Sequence, residues 1–160
     1  MNKIDLRDTS LRNLPRLLAL QAKQNGEAVY LLDDQNSISF EQAERLTDQL
    51  ATGLANIGVD EGSRVALFLE NRVETVLLAL AVNKLRAIWV PINTDYKGDW
   101  LSGVIQDSQP TVLVTQDSFW QKFQTLLSER QVDNIVLLDG QNDSNHDTKI
   151  IQYQTLLGKA

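Results

Sequence analysis

The spacing of apolar side chains divides the chain into an opening of helix, hairpin and helix, followed by strand and helix in alternation. Asn13 to Asn25 carries Leu14, Leu17, Leu18 and Ala22 at helical spacing. Asn13 is placed to cap this helix, Pro15 lies in the first turn where its missing amide does no harm, and Gly26 ends it. Ala28 to Leu32 and Ser37 to Phe40 flank the polar group Asp33, Asp34, Gln35, Asn36, which is turn chemistry, and so predict a hairpin. Ser39 with Gln42 three residues on is a capping box. Phe40, Ala43, Leu46, Leu50, Leu54 and Ile57 continue it as an amphipathic helix closed by Gly58.

From Gly58 to Asn93 the pattern changes. Ser63 to Leu69 is a short apolar run without alternation, as in a central strand covered on both faces. The helix after it is apolar almost all round: Val73, Val76, Leu77 and Leu80 occupy one face and Leu78, Ala79, Val82 and Leu85 its flank, so it must be buried. Asn71 is placed to cap it and Glu74 to reach back. Ile88 to Ile92 is the next buried strand, which makes a right-handed βαβ unit.

A polar loop, Thr94 to Gly98, leads into a helix carrying Trp100, Leu101, Val104 and Ile105, stopped by Pro110. Thr111 to Thr115 is a strand. Asp117 or Ser118 then caps a helix with Phe119, Trp120, Phe123, Leu126 and Leu127, and Asn134 to Leu138 is the fourth parallel strand. Gly140 to Asp147 reads as an exposed loop, and the apolar residues of Lys149 to Leu157 find no partner in the pattern. The fold class expected is α/β, a parallel sheet with helices on both faces, plus an N-terminal helix and a β-hairpin from an incomplete second sheet. Three stretches follow: 1–57, 58–140, and an exposed loop and tail at 141–160.

Composition narrows the function classes. The chain has 160 residues, 42% of them hydrophobic, enough for one domain with a core. A formal charge of −6 sets it against nucleic acid or an anionic membrane as partner. With no cysteine, thiolate metal sites and disulfides are excluded and a cytoplasmic address is the default. Met1 to Ser10 is charged and lacks the apolar segment of a secretory signal, and no apolar run approaches the length of a membrane span.

The chemistry motifs are mostly absent. None of the eight glycines lies two residues from another, so there is no dinucleotide fingerprint, and Gly158-Lys159 has no glycine five residues earlier, so there is no P-loop. Asp143, Asn145 and Asp147 alternate like calcium ligands, but Thr148 stands at the turn-glycine position and Gln154 at that of the bidentate glutamate. His146, the single histidine, and the sequon at Asn142 both read as features of a solvated loop. Trp89, Trp100, Trp120, Phe119 and Phe123 are candidates to line an acyl pocket, but their spacing within strands and helices makes them core residues first. Tyr96, with Asn93, Thr94, Asp95 and Lys97, sits in a loop at the carboxyl end of a parallel strand, where such sheets bind ligands; an ordinary connection is the equal alternative.

The order of residues from Ser37 to Gln116 resembles the amino-terminal part of the acyl-adenylate-forming superfamily of AMP-forming acyl-CoA synthetases, peptide-synthetase adenylation domains and beetle luciferases. The matching features are Phe40, Leu54 with Gly58-Val59, Gly62, Arg64-Val65-Ala66, Asn71 with Glu74, Ala81, Ala87, Pro91 with Asn93, and Asp107-Ser108 before Val112 to Thr115. WVPIN followed by IQDSQPTVLVT looks most like the carnitine/crotonobetaine-CoA ligase branch. One departure is Arg86, where the family usually has glycine, which puts in question the packing of the helix end against Ile88.

The resemblance implies a parent enzyme that activates a small carboxylic acid with ATP and Mg²⁺ and passes the acyl group to CoA, with Asn93, Thr94 and Asp95 along the CoA path. It also implies that the phosphate loop ending in Pro-Lys-Gly, the later motifs and the catalytic lysine lie beyond Ala160. This chain is then the opening part of such an enzyme, inactive alone and without a cofactor of its own. Its hairpin and first helix would leave an apolar face that favours self-association. The alternative is a free-standing, non-catalytic interaction or ligand-binding module; a flavodoxin-like or response-regulator-like domain would need more acidic residues at strand ends than Glu70.

Overall fold

The computed structural model of the protein describes residues 7–124, 132–139 and 149–158. Its opening follows local chemistry closely. Helix α1 (Leu14–Asn25) is capped by Asn13, whose Oδ1 accepts from the Arg16 amide at 3.1 Å. Strands β1 (Val29–Leu32) and β2 (Ser37–Ser39) pair antiparallel around a turn held by the Asp33 carboxylate, which accepts the amides of Gln35 and Asn36 at 2.9 and 2.7 Å. The capping box forms: Ser39 Oγ accepts from the Gln42 amide and Gln42 Oε1 from the Ser39 amide, starting α2 (Phe40–Asn56). Tyr30 stacks on Phe40, ring centroids 4.7 Å apart, which seats the hairpin on that helix.

The remainder is β3 (Arg64–Phe68), α3 (Val73–Lys84), β4 (Ile88–Pro91), α4 (Gly98–Ser108), β5 (Val112–Thr115), α5 (Asp117–Gln124), β6 (Asn134–Leu137), β7 (Lys149–Gln152) and α6 (Tyr153–Leu156). The five later strands form one parallel sheet in the order β4-β3-β5-β6-β7. Its faces separate by residue parity. Val65, Leu67, Val112, Val114, Val136 and Ile151 join α2, α3 and α6 in one apolar cluster; Ala66, Phe68, Leu113, Ile135 and Leu137 join α4 and α5 in another. Helices thus cover both faces, and β3 is an interior strand as its composition requires.

Four expectations are corrected. Asn71 does not cap α3: the capping position is Arg72, without a side-chain bond of its own to the helix amides, because Glu74 pairs with the Arg72 guanidinium instead of reaching back. Strand β4 is an edge rather than a buried strand, with Ile88 51% and Trp89 39% exposed. Trp89 and Trp100 are therefore outside the core, Trp100 at 75% exposure, whereas Trp120 and Phe123 are buried within it. Residues 149–158 are no loose tail: β7 pairs with β6, and Ile151, Tyr153, Leu156 and Leu157 are buried. Leu126, Leu127 and the 140–147 loop with Asn142, Asp143, Asn145, His146 and Asp147 lie outside the described residues.

Two details explain how the chain closes. Gly53, buried in the middle of α2, lies so near α6 that a Cβ would stand 2.3 Å from the Leu156 carbonyl oxygen, so only glycine admits that helix. On the opposite border, Ile88 and Ile92 turn their amides inward to the carbonyls of Ser63 and Leu67. Strand alternation then points Trp89 and Pro91 outward, and proline has no amide to offer there.

Candidate functional site

In a doubly wound sheet the ligand crevice opens at the carboxyl ends of the strands where the strand order reverses, because the two flanking loops run to opposite faces. Here the reversal lies between β3 and β5. The chain leaves β3 for α3 on one face, and leaves β5 for α5 on the other.

Residues following three strands meet at this end. After β5, Gln116 is 7% exposed and makes a double contact with Glu70 after β3. Its Oε1 accepts the Glu70 amide at 3.2 Å, and its Nε2 donates to Glu70 Oε2 at 3.3 Å and to Ser118 Oγ at 2.9 Å. Beneath it, Thr115 Oγ1 donates to the Phe68 carbonyl at 3.1 Å. Arg72 spans the next gap: Nε donates to Glu74 and Nη1 to Asp139 after β6, each at 2.8 Å. These charge-assisted bonds, the one to Glu74 first, hold the guanidinium above its already high ordinary value.

Above them hangs the hairpin turn. Asp33, Asp34, Gln35 and Asn36 form one wall of a cleft of about 490 Å³ whose other wall is Glu70, Asn71, Arg72, Glu74 and Asp139. Asp33 is held below the usual carboxylate range. The Gln35 amide and the Asn36 side chain are the main causes, and the Val73 amide at the head of α3 adds to them. Beside the cleft, burial pushes the Tyr153 hydroxyl up, and the Glu74 charge adds to this.

The loop singled out from sequence lies apart from this cleft. Asn93 and Asp95 are exposed and Thr94 half-buried, at the carboxyl end of β4; Asn93 Oδ1 accepts the Asp95 amide at 2.9 Å, which fixes the turn. Tyr96 leans toward Trp100 with ring centroids 6.3 Å apart. None of Asn93, Thr94 and Asp95 lines the cleft. Conversely, Arg72, Gln116 and Asp139 carry no motif, and Glu74 enters the sequence reading only as a partner of the Asn71 cap. Their signal is positional, since each stands within a few residues of a predicted strand's carboxyl end.

The cleft does not suit a polyphosphate or its metal. Five carboxylates, Asp33, Asp34, Glu70, Glu74 and Asp139, face a single guanidinium. Among the described residues, no group of three or more His, Asp or Glu is placed to hold a metal ion, and no helix is long and apolar enough to cross a membrane.

Comparison with known proteins agrees with this architecture. Residues 18–156 match the family model described as AMP-binding enzyme. Tyrocidine synthase 1 of Brevibacillus parabrevis is 31% identical over 110 residues, covering 69% of this chain and 10% of that protein. Adenylate-forming reductase 06235 of Coprinopsis cinerea is 33% identical over 133 residues, 80% of this chain and 13% of that one. The chain thus spans about a tenth of the length of these curated relatives. Among solved structures, the anthranilate CoA ligase AuaEII in complex with anthranoyl-AMP superposes with a TM-score of 0.83 at 20% identity, over 91% of this chain and 28% of that one. A long-chain-fatty-acid-CoA ligase of Archaeoglobus fulgidus gives 0.78 at 22%, over 92% and 30%. At such identities the likeness concerns the fold.

Proposed function

Because this chain belongs to the AMP-binding enzyme family, we propose that it is the amino-terminal α/β layer of an enzyme that makes an acyl-adenylate and then an acyl-CoA. The layer alone carries out neither step. In that enzyme ATP and Mg²⁺ would activate a small carboxylic acid, and the loop Asn93, Thr94 and Asp95 would border the path of CoA. The observation that carries the reading is the strand-end chemistry: a sheet of the adenylate-forming class whose described loops hold carboxylates in place of a glycine-lined phosphate cradle. Among the described residues there, the single guanidinium, Arg72, is already paired with Glu74 and Asp139, which leaves it a poor partner for the charge that develops as pyrophosphate leaves.

The test is pyrophosphate exchange into ATP, with Mg²⁺ and a panel of aliphatic and aromatic acids. The 160-residue chain is expected to give no exchange above the protein-free control. Acid-dependent exchange would overturn the reading.

A second reading, a free-standing non-catalytic module, is favoured by one feature: α6 seats on Gly53 of α2 and joins the apolar cluster under it. Sedimentation separates the two. A monomer at all concentrations supports the module, and association through the hairpin supports the layer.

A further inference from the structure

Where the strand order reverses, an α/β sheet ordinarily offers an anion two things: the first free amide past a strand and the amino end of the following helix. Both are present here; the first is engaged by a side chain of this chain, and the second shares its cleft with a carboxylate from the hairpin. The Glu70 amide is taken by Gln116 Oε1 at 3.2 Å. The Asp33 carboxylate arrives from a hairpin some forty residues upstream and lines the same cleft as Arg72 and Glu74 at the head of α3. Gln116 is buried and anchored at its other end to Ser118, so it is not a side chain that swings aside freely.

We infer that the sheet fills its own ligand crevice, Gln116 closing it from β5 and Asp33 covering it from the hairpin turn, so that nucleotide and other polyphosphates are shut out of this switch point. The hairpin is then more than an appendage. It supplies an internal carboxylate at the place where comparable sheets seat a phosphate, and its Asp34 adds a second negative charge to the rim. Polyphosphate is excluded from this switch point whether or not a longer enzyme makes an acyl-adenylate.

Amide NMR of the whole chain tests it, with inorganic pyrophosphate and then ATP as probes. In the unaltered protein, the backbone signals of Glu70 and Val73 and the side-chain amide of Gln116 are expected to stay put into the millimolar range; saturable shifts at these signals would overturn the inference. A D33N/E70Q/Q116G variant frees the Glu70 amide and removes two rim charges, so saturable pyrophosphate shifts at residues 70 and 73 are expected. A folded variant that shows none would mean that these side chains are not what closes the crevice, and overturns it equally. Should the triple variant lose its dispersed spectrum, Q116G alone carries the test, with a shift expected at Glu70 and the same reading of its absence. Pyrophosphate exchange by the unaltered chain without these shifts would sink the proposed function and leave this inference standing.

Discussion

Arg86 holds a left-handed backbone, φ 58°, at the residue just past the cap of α3. The Ala87 amide reaches the Val82 carbonyl and the Arg86 amide the Asn83 carbonyl, both at 3.1 Å, which is a Schellman closure. The same closure ends α2, where Gly58 occupies the left-handed position at φ 94°. The departure from glycine at Arg86 therefore leaves the helix end packed, with Ala87 buried, and costs backbone strain of about 1 kcal/mol. Its guanidinium pairs with Glu61, but both side chains are largely exposed and the pair adds little. Arg86→Gly is expected to raise the urea midpoint by the equivalent of about 1 kcal/mol, less the added freedom of the unfolded chain; a lower midpoint would contradict the strain argument. Tyr153 gives a pH prediction. Its folded-state value lies above its unfolded value of 10.0, so the stabilisation is full below that pH and drains away as pH rises toward the folded value. Tyr153→Phe should flatten the alkaline loss of melting temperature, and an unchanged slope above pH 10.0 would refute it.

Among the elements, the β7–α6 unit depends on one glycine. Any side chain at Gly53 must displace Leu156, so Gly53→Val is expected to cost about 1–3 kcal/mol by overpacking and to speed hydrogen exchange at Ile151 and Leu156 ahead of β3. Uniform acceleration across the sheet would argue against a separately seated unit. This unit also shows where sequence reading stops. The Ser39–Gln42 box, the Asn13 cap, the Asp33–Asn36 turn and the apolar run of β3 were legible because each is settled by neighbours within a few residues. The partner of Leu156 lies on α2, about a hundred positions earlier, and nothing in KIIQYQTLL names it. The cleft is hidden for the same reason: Gln116 meets Glu70 across 46 positions and Arg72 meets Asp139 across 67. Asn71 misled because a capping residue is recognised by type, whereas Arg72 outcompeted it for Glu74 through a contact that type does not encode. Trp100 misled because helical spacing says that a face is apolar without saying that the face is covered.

At the scale of the whole molecule, net charge and surface pull in opposite directions. A charge of −6 opposes association of like copies, while Leu14, Val29 and Leu32 stand 56%, 58% and 74% exposed on α1 and the hairpin. Added salt should therefore tip the balance. The sedimentation coefficient is expected to climb with protein concentration, more steeply at high ionic strength, and Leu32→Lys should abolish the climb. A flat profile under all conditions would remove the hairpin face as the adhesive surface. Pro91 sets the direction in which such a molecule can be extended. With no amide at that outward position, the β4 border is poorly equipped to template another strand, whereas β7, which has no further neighbour among the described residues, still presents an open ladder. Lateral recruitment is consequently asymmetric. An added strand is expected on the Lys149–Gln152 flank rather than along the Ile88–Pro91 margin, where fusion of two copies is disfavoured from the outset.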